Sequence, residues 1–224
     1  DFTPGFDPVR VWMHCEKCDH LFAHNRPKNL EKVLKETKMN STLTPDPKAF
    51  AEECRILKRI MSYAKGDGIL EVGSGVGEFA GVALEMLYQV ECIEIRSYYA
   101  QVLEQKLKIK VHRCDFLNFD CKNKYNVLVM GDVIEHFAEP FKALMKAYDL
   151  LGEEGVLWLS TPNFKSAHTR LLDHADPMWS VCEHLQFFSY ESLKKLLSRV
   201  GFEILDYQVS AKYNGSMEIC ARKV

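Results

Sequence analysis

The chain has 224 residues, of which 47% are apolar and 27% charged, and its formal net charge is −2. That length fits one large domain, or one domain with an appendage, and the composition is ordinary for a soluble globular enzyme. The near-neutral charge argues against nucleic-acid binding driven by phosphate neutralisation, and no run of 18 uncharged apolar residues offers a membrane span.

Residues 1–45 are mixed in character and loop-rich, and read as an N-terminal appendage to a main domain over 46–224. The appendage carries "MHCEKCDHLFAHNRP", with a C-x-x-C pair at Cys15 and Cys18. A structural zinc needs four ligands. His20 and His24 have H-x3-H spacing, but they follow Cys18 too closely for a zinc finger. Two states stay open: a pair of reduced thiols, or a zinc site completed by ligands upstream of residue 1. The other six of the eight cysteines are scattered, and Cys92 and Cys220 sit inside apolar runs. That scatter reads as buried thiols in a cytoplasmic protein, and no signal peptide is visible.

Asp46-Pro47 opens a helix with Phe50, Cys54, Leu57 and Met61 at helical spacing. "GILEV" (68–72) reads as a strand and 78–87 as a helix. A strand over 90–95, a helix over 97–107 and strands over 110–114 and 125–130 follow. The helix over 140–151 has Pro140 in its first turn and Gly152 just past its end. After a strand over 155–160 comes a helix over 189–200, with Ser189 as N-cap and Gly201 as terminator. Strands over 202–209 and 216–222 close the chain around a turn at Asn214-Gly215. This alternation predicts a doubly wound α/β fold: a seven-stranded, mostly parallel sheet whose last strand is antiparallel. The segment 161–188 is too long for a plain connection and is expected to cover a substrate.

"GILEVGSGVGEF" places Glu71 at a strand end, directly before Gly73, Gly75 and Gly77. Glycine lets a loop take positive φ and bring its backbone close to a ligand. A carboxylate there would repel the pyrophosphate of a dinucleotide, but it suits a ligand with a cationic end. S-adenosylmethionine has an ammonium and a sulfonium and no phosphate. Glu94 ends the next strand, where an acid can accept both ribose hydroxyls. Asp115 follows the third strand, placed for the adenine amino group, with Phe116 beside the ring. Three acids at the carboxyl ends of successive strands lie where doubly wound sheets bind ligands.

"ILEVGSGVGEF", "CIEI", "CDFLNF", "YNVLVMGDVIEHFAEP" and "GEEGVLWLSTPN" resemble, in order, the motifs of Rossmann-like S-adenosylmethionine-dependent methyltransferases. "EHLQFFSYESLKKLLSRVGFEI" adds to the likeness, which covers roughly 46–224. The small-molecule branch is the most similar: ubiquinone-biosynthesis O-methyltransferases and methyltransferases of sugar and natural-product pathways. The resemblance implies that Glu71, Gly73, Gly75, Gly77, Glu94, Ile95, Asp115, Phe116 and Gly131 line the cofactor site. "MHCEKCDHLFAHNRP" also resembles the second half of a zinc ribbon that precedes some sugar methyltransferases.

The expected reaction is methyl transfer to a small-molecule hydroxyl, and histidine is the natural base near neutral pH. His136 in "GDVIEHF" and His184 in "CEHLQFF" are the candidates. Asp132 and Glu135 are read as positioning or capping groups, and His168 and His174 as surface or substrate contacts. A sugar nucleotide, a glycan precursor and a quinone-like phenol remain open as acceptors. The alternatives are transfer to carbon or nitrogen, or a non-catalytic cofactor-binding module. Nucleic-acid and membrane partners are not expected.

Overall fold

The computed structural model describes residues 7, 9–36 and 45–224. Two short strands, β1 (Trp12–Cys15) and β2 (His20–Ala23), and helix α1 (Leu30–Glu36) precede α2 (Pro47–Met61). The chain then runs β3 (Gly68–Val72), α3 (Glu78–Glu85), β4 (Gln89–Ile93), α4 (Ser97–Leu107), β5 (Lys110–His112) and β6 (Tyr125–Gly131). It continues with α5 (Pro140–Leu150), β7 (Leu151–Pro162), α6 (Ala167–Leu172), β8 (Gln186–Phe188), α7 (Tyr190–Val200), β9 (Phe202–Val209) and β10 (Ser216–Lys223).

Seven strands form one sheet in the order β5-β4-β3-β6-β7-β10-β9. Neighbours from β5 to β7 are parallel, whereas β10 is antiparallel to both β7 and β9. The order reverses at β3, so a crevice opens at the carboxyl ends of β3 and β6. This is the expected fold class. The last two strands form an antiparallel pair at one edge, with β10 between β7 and β9 and β9 outermost.

Alternating side chains on each strand point to opposite faces. Leu70, Leu128, Met130, Leu157 and Leu159 pack on one face with Leu144, Ala147, Leu193 and Leu197 of α5 and α7. Ile69, Val127, Val129, Val156 and Trp158 pack on the other with Ile56, Leu57, Phe79, Ala83 and Leu103 of α2, α3 and α4. Arg59 pins α2 across the far edge. Its Nε donates to Asp206 Oδ2 at 2.6 Å and its Nη1 to Glu218 Oε2 at 2.5 Å. Glu218 is fully buried, and the guanidinium groups of Arg59 and, at 3.3 Å, Arg55 supply its counter-charge.

Helix ends follow their local chemistry. Asp46 accepts from Lys48 N at the start of α2. Ser189 and Ser192 form a capping box on α7, which ends on Gly201 at φ 110°.

A second sheet has the order β1-β2-β8, with both pairings antiparallel. It joins the N-terminal hairpin to the segment expected to lie over the substrate. His20 Nε2 meets Gln186 Oε1 at 2.7 Å, and Ser189 Oγ donates to the Asp19 carbonyl at 3.1 Å. Cys15 and Cys18 flank the tip of this hairpin as free thiols. Around them His20 is engaged with Gln186, and His14 with Asp19 at 3.1 Å. Among the described residues no helix is long and apolar enough to cross a membrane.

Candidate active site

A cavity of about 960 Å³ opens at the carboxyl ends of β3, β4, β6 and β7. That is near the top of the usual size range for small-molecule sites. One wall is the glycine loop and the acids that follow the strands. The other is the turn after β6 together with residues of the 161–188 segment.

The loop after β3 takes positive φ at Gly73, Gly75 and Gly77, at 74°, 50° and 84°. A Cβ on Gly75 would meet nothing within 4 Å, so this backbone faces open space. A Cβ on Gly77 would collide with Leu103, because here the chain presses against α4. Gly77 is the N-cap of α3 and does not line the cavity. The other eight residues implied for the cofactor do line it.

Glu94, just past β4, ties the loop down. Its Oε2 accepts from Gly75 N at 3.0 Å and its Oε1 from Arg96 N at 2.8 Å. Burial pushes its carboxyl up, against the pull of those two N–H groups. Each oxygen keeps a second lone pair for a ligand. Asp115 Oδ1 accepts from Leu117 N at 2.7 Å and so caps a short 3-10 turn over Phe116–Asn118. Phe116 is buried beneath it.

Glu71 has few partners. Its carboxyl is buried beside the Cys92 thiol, with Sγ 3.6 Å from Oε2. Burial, with Glu53 nearby, pushes its pKa up to about 8. A buried acid that faces a cavity and forms no ion pair of its own suits a positively charged guest.

The opposite wall gathers the histidines. The turn after β6 puts Asp132 at φ 52°, a strained conformation for a non-glycine residue. Asp132 is held by Ser160 Oγ at 3.1 Å, and burial raises its pKa to about 6. The next turn, Ile134–His136, carries Glu135 and His136. The His136 and His184 rings lie 5.0 Å apart at 70°, and His184 Nε2 is 3.9 Å from Glu135 Oε1. Burial lowers the pKa of both histidines, and raises that of Glu135 well above the carboxylate range with help from Asp132. Both rings are therefore neutral at pH 7. His136 Nδ1 donates to the Glu183 carbonyl at 3.0 Å, which leaves Nε2 with a lone pair.

His168 lines the same cavity near Asp176, whereas His174 is exposed away from it. Arg96 joins the two walls through Glu183 at 3.1 Å. Several lining residues carried no functional reading in the sequence: Leu30 and Leu34 of α1, Glu53 of α2, and Lys212 and Tyr213 after β9. Lys212 Nζ lies 2.8 Å from Glu53 Oε1 and 3.5 Å from Glu78 Oε2. Burial works against its charge, but those acids hold it above the ordinary lysine range. Glu53 did leave a signal, an acid three residues after Phe50 on the apolar stripe of α2.

The fold and the site together define a doubly wound α/β protein with an acid-lined, nucleoside-sized crevice at its switch point. The family described as "Methyltransferase domain" matches residues 22–207, and the chain belongs to that family. No curated protein matches it by sequence. Solved structures share the fold. One is the 1,6-didemethyltoxoflavin-N1-methyltransferase of Burkholderia thailandensis, with 1,6-didemethyltoxoflavin and S-adenosylhomocysteine bound. It is 16% identical, with a TM-score of 0.62 over 80% of each chain. The magnesium protoporphyrin IX methyltransferase of Synechocystis PCC 6803, with S-adenosylhomocysteine bound, is 15% identical. Its TM-score is 0.64 over 88% of this chain and 94% of that one. The [4+2]-cyclase SpnF is 17% identical, with a TM-score of 0.60 over 76% of this chain and 80% of its own.

Proposed function

We propose that this methyltransferase takes its methyl group from S-adenosylmethionine and delivers it to a hydroxyl oxygen of a small molecule bound beneath the 161–188 segment. The observation that carries the reading is the series Glu71, Glu94 and Asp115 at three successive strand ends around a glycine loop. Glu71 faces the cationic end of the cofactor, Glu94 the ribose hydroxyls, and Asp115 the adenine amino group with Phe116 beneath the ring. Gly73, Gly75, Ile95 and Gly131 supply backbone and apolar contacts, and Gly77 holds the turn. The cofactor supplies an electrophilic methyl carbon whose departure leaves a neutral thioether.

The chain's own work is alignment, exclusion of water and removal of the hydroxyl proton. The Glu135–His136–His184 cluster faces the acceptor space and does the last. His136 Nε2 carries the lone pair that its bond to Glu183 leaves free. His184 is the second candidate, with a ring that burial also keeps neutral.

Two measurements test this. S-adenosylhomocysteine should raise the melting temperature of the purified chain, and methyl-labelled cofactor incubated with cell extract should yield a product bearing a new O–CH3 group. No thermal shift would remove the cofactor from the reading, and label found on carbon or nitrogen would overturn the choice of oxygen.

The Glu71 carboxyl adds a pH prediction. In the free chain it is protonated below about pH 8. A cationic guest favours the ionised form, so binding at pH 7 should release a proton, and affinity should rise as pH approaches 8. Calorimetry at pH 7 in buffers of different ionisation enthalpy reads that proton directly. Glu71→Gln should release fewer protons than the wild type, which also subtracts titration of the ligand's own amine. Equal release in both proteins would contradict the assignment.

A further inference from the structure

Three side chains of the acceptor wall meet at one point. Glu135, His136 and His184 each present one ligating atom, and these atoms lie within 4.8 Å of one another. Glu135 is fully buried and His184 is 9% exposed. Glu135 Oε1, the oxygen nearest His184 Nε2, has no hydrogen-bond partner among the described residues. An unsatisfied buried carboxylate oxygen is costly unless a further group completes it.

The rest of the cluster is held in place for such a group. Thr161 Oγ1 donates to Glu135 Oε2 at 3.0 Å, which leaves Oε1 pointing toward His184. The Glu183 carbonyl takes the Nδ1 proton of His136, so Nε2 is the free ligand atom. Metal-binding imidazoles are oriented by this kind of bond through their other nitrogen. Asp132 stays outside the cluster, bonded to Ser160.

We propose that Glu135, His136 and His184 bind one divalent transition-metal ion, whose remaining coordination positions receive the acceptor's hydroxyl oxygen. Two imidazoles and one carboxylate form the donor set of zinc and non-haem iron sites, and they leave positions open. Magnesium and calcium favour oxygen ligands. Ligands about 2.1 Å from one ion lie roughly 3 to 3.5 Å from each other. The 3.9 Å between His184 Nε2 and Glu135 Oε1 therefore closes only slightly on binding.

The role of the ion rests on the methyl-transfer reading above and deepens it. Coordination lowers the pKa of a bound O–H group. The proton leaves to water, the oxygen keeps the electron pair that attacks the methyl carbon, and the C–S electrons stay on sulfur. The histidine lone pairs are then spent on the metal rather than on the proton.

The test uses chelator-treated full-length chain carrying Cys15→Ser and Cys18→Ser, so that the hairpin thiols take up no metal. Zinc is titrated by calorimetry, and cobalt by its visible absorption. One ion per chain is expected, with affinity at least about tenfold weaker in each of Glu135→Gln, His136→Ala and His184→Ala. Glu135→Gln keeps the side chain's shape, and melting curves show whether each variant is folded. Absence of a stoichiometric ion overturns the proposal, as does an affinity that Glu135→Gln and His184→Ala both leave unchanged. S-adenosylhomocysteine is titrated into the same metal-free protein. Normal binding there confines a failure to the metal site, whereas lost binding also removes the methyl-transfer reading.

Discussion

Glu94→Ala should weaken binding of S-adenosylhomocysteine by about 100-fold or more, since hydrogen bonds to a charged group contribute roughly 1.5–3 kcal/mol each. Two effects add. The ribose hydroxyls lose their acceptor, and the N–H groups of Gly75 and Arg96 lose the carboxylate that fixes the loop. Glu94→Gln should fall between the two proteins, because its one carbonyl oxygen can still accept from one of those N–H groups. Calorimetry on all three decides the matter. Affinity in Glu94→Ala equal to wild type would remove Glu94 from the cofactor site.

His136→Ala and His184→Ala should each lower turnover by roughly 10²–10⁴-fold, since both belong to the cluster that activates the acceptor hydroxyl, whether as base or as ligands of an ion. Cofactor affinity should stay close to wild type, because neither ring touches the glycine loop or Glu94 through any hydrogen bond. The sign of the pH dependence follows from the neutral form being the useful one. Burial holds both rings below the ordinary histidine range, so wild-type kcat/KM should fall only as the pH drops beneath about 6.5. Full turnover in both variants would make the pair bystanders. A loss matched by an equal loss of cofactor affinity would point to collapse of the wall instead.

The parallel half of the fold was legible because buried strands leave apolar runs, and "VLVM" and "VLWL" are the plainest of them. The acids were legible through position: Glu71 and Glu94 follow apolar runs and Asp115 follows the strand over 110–114, at the end of the sheet where doubly wound folds bind ligands. Other features had no local trace. β10 inserts between β7 and β9 by pairing with strands that alternation alone does not order. The β1-β2-β8 sheet pairs segments whose partners are remote in sequence, and three-residue β8 is too short to show a period. Helix α1 fell inside a stretch read as loop-rich. Lys212 lies in a turn, where a charged residue ordinarily means solvent. Only the packing of α2 against that turn gives Glu53 and Lys212 a shared purpose. His136 and His184 were picked out one by one. Their shared geometry with Glu135 depends on Leu185 N bonding back to the Glu135 carbonyl at 2.8 Å, a contact that no spacing rule encodes.

The β1-β2-β8 sheet also fixes an order of events during synthesis. His20 and Gln186 are 166 positions apart, and Asp19 and Ser189 are 170. On a ribosome strands β3 to β6, within residues 68–131, emerge while the hairpin still lacks its third strand. The compartment over the histidines can close only after residue 188 has been made. Late contacts between distant segments are the slow ones to form. A nascent chain thus presents the glycine-loop wall of the cavity well before the wall that carries His184.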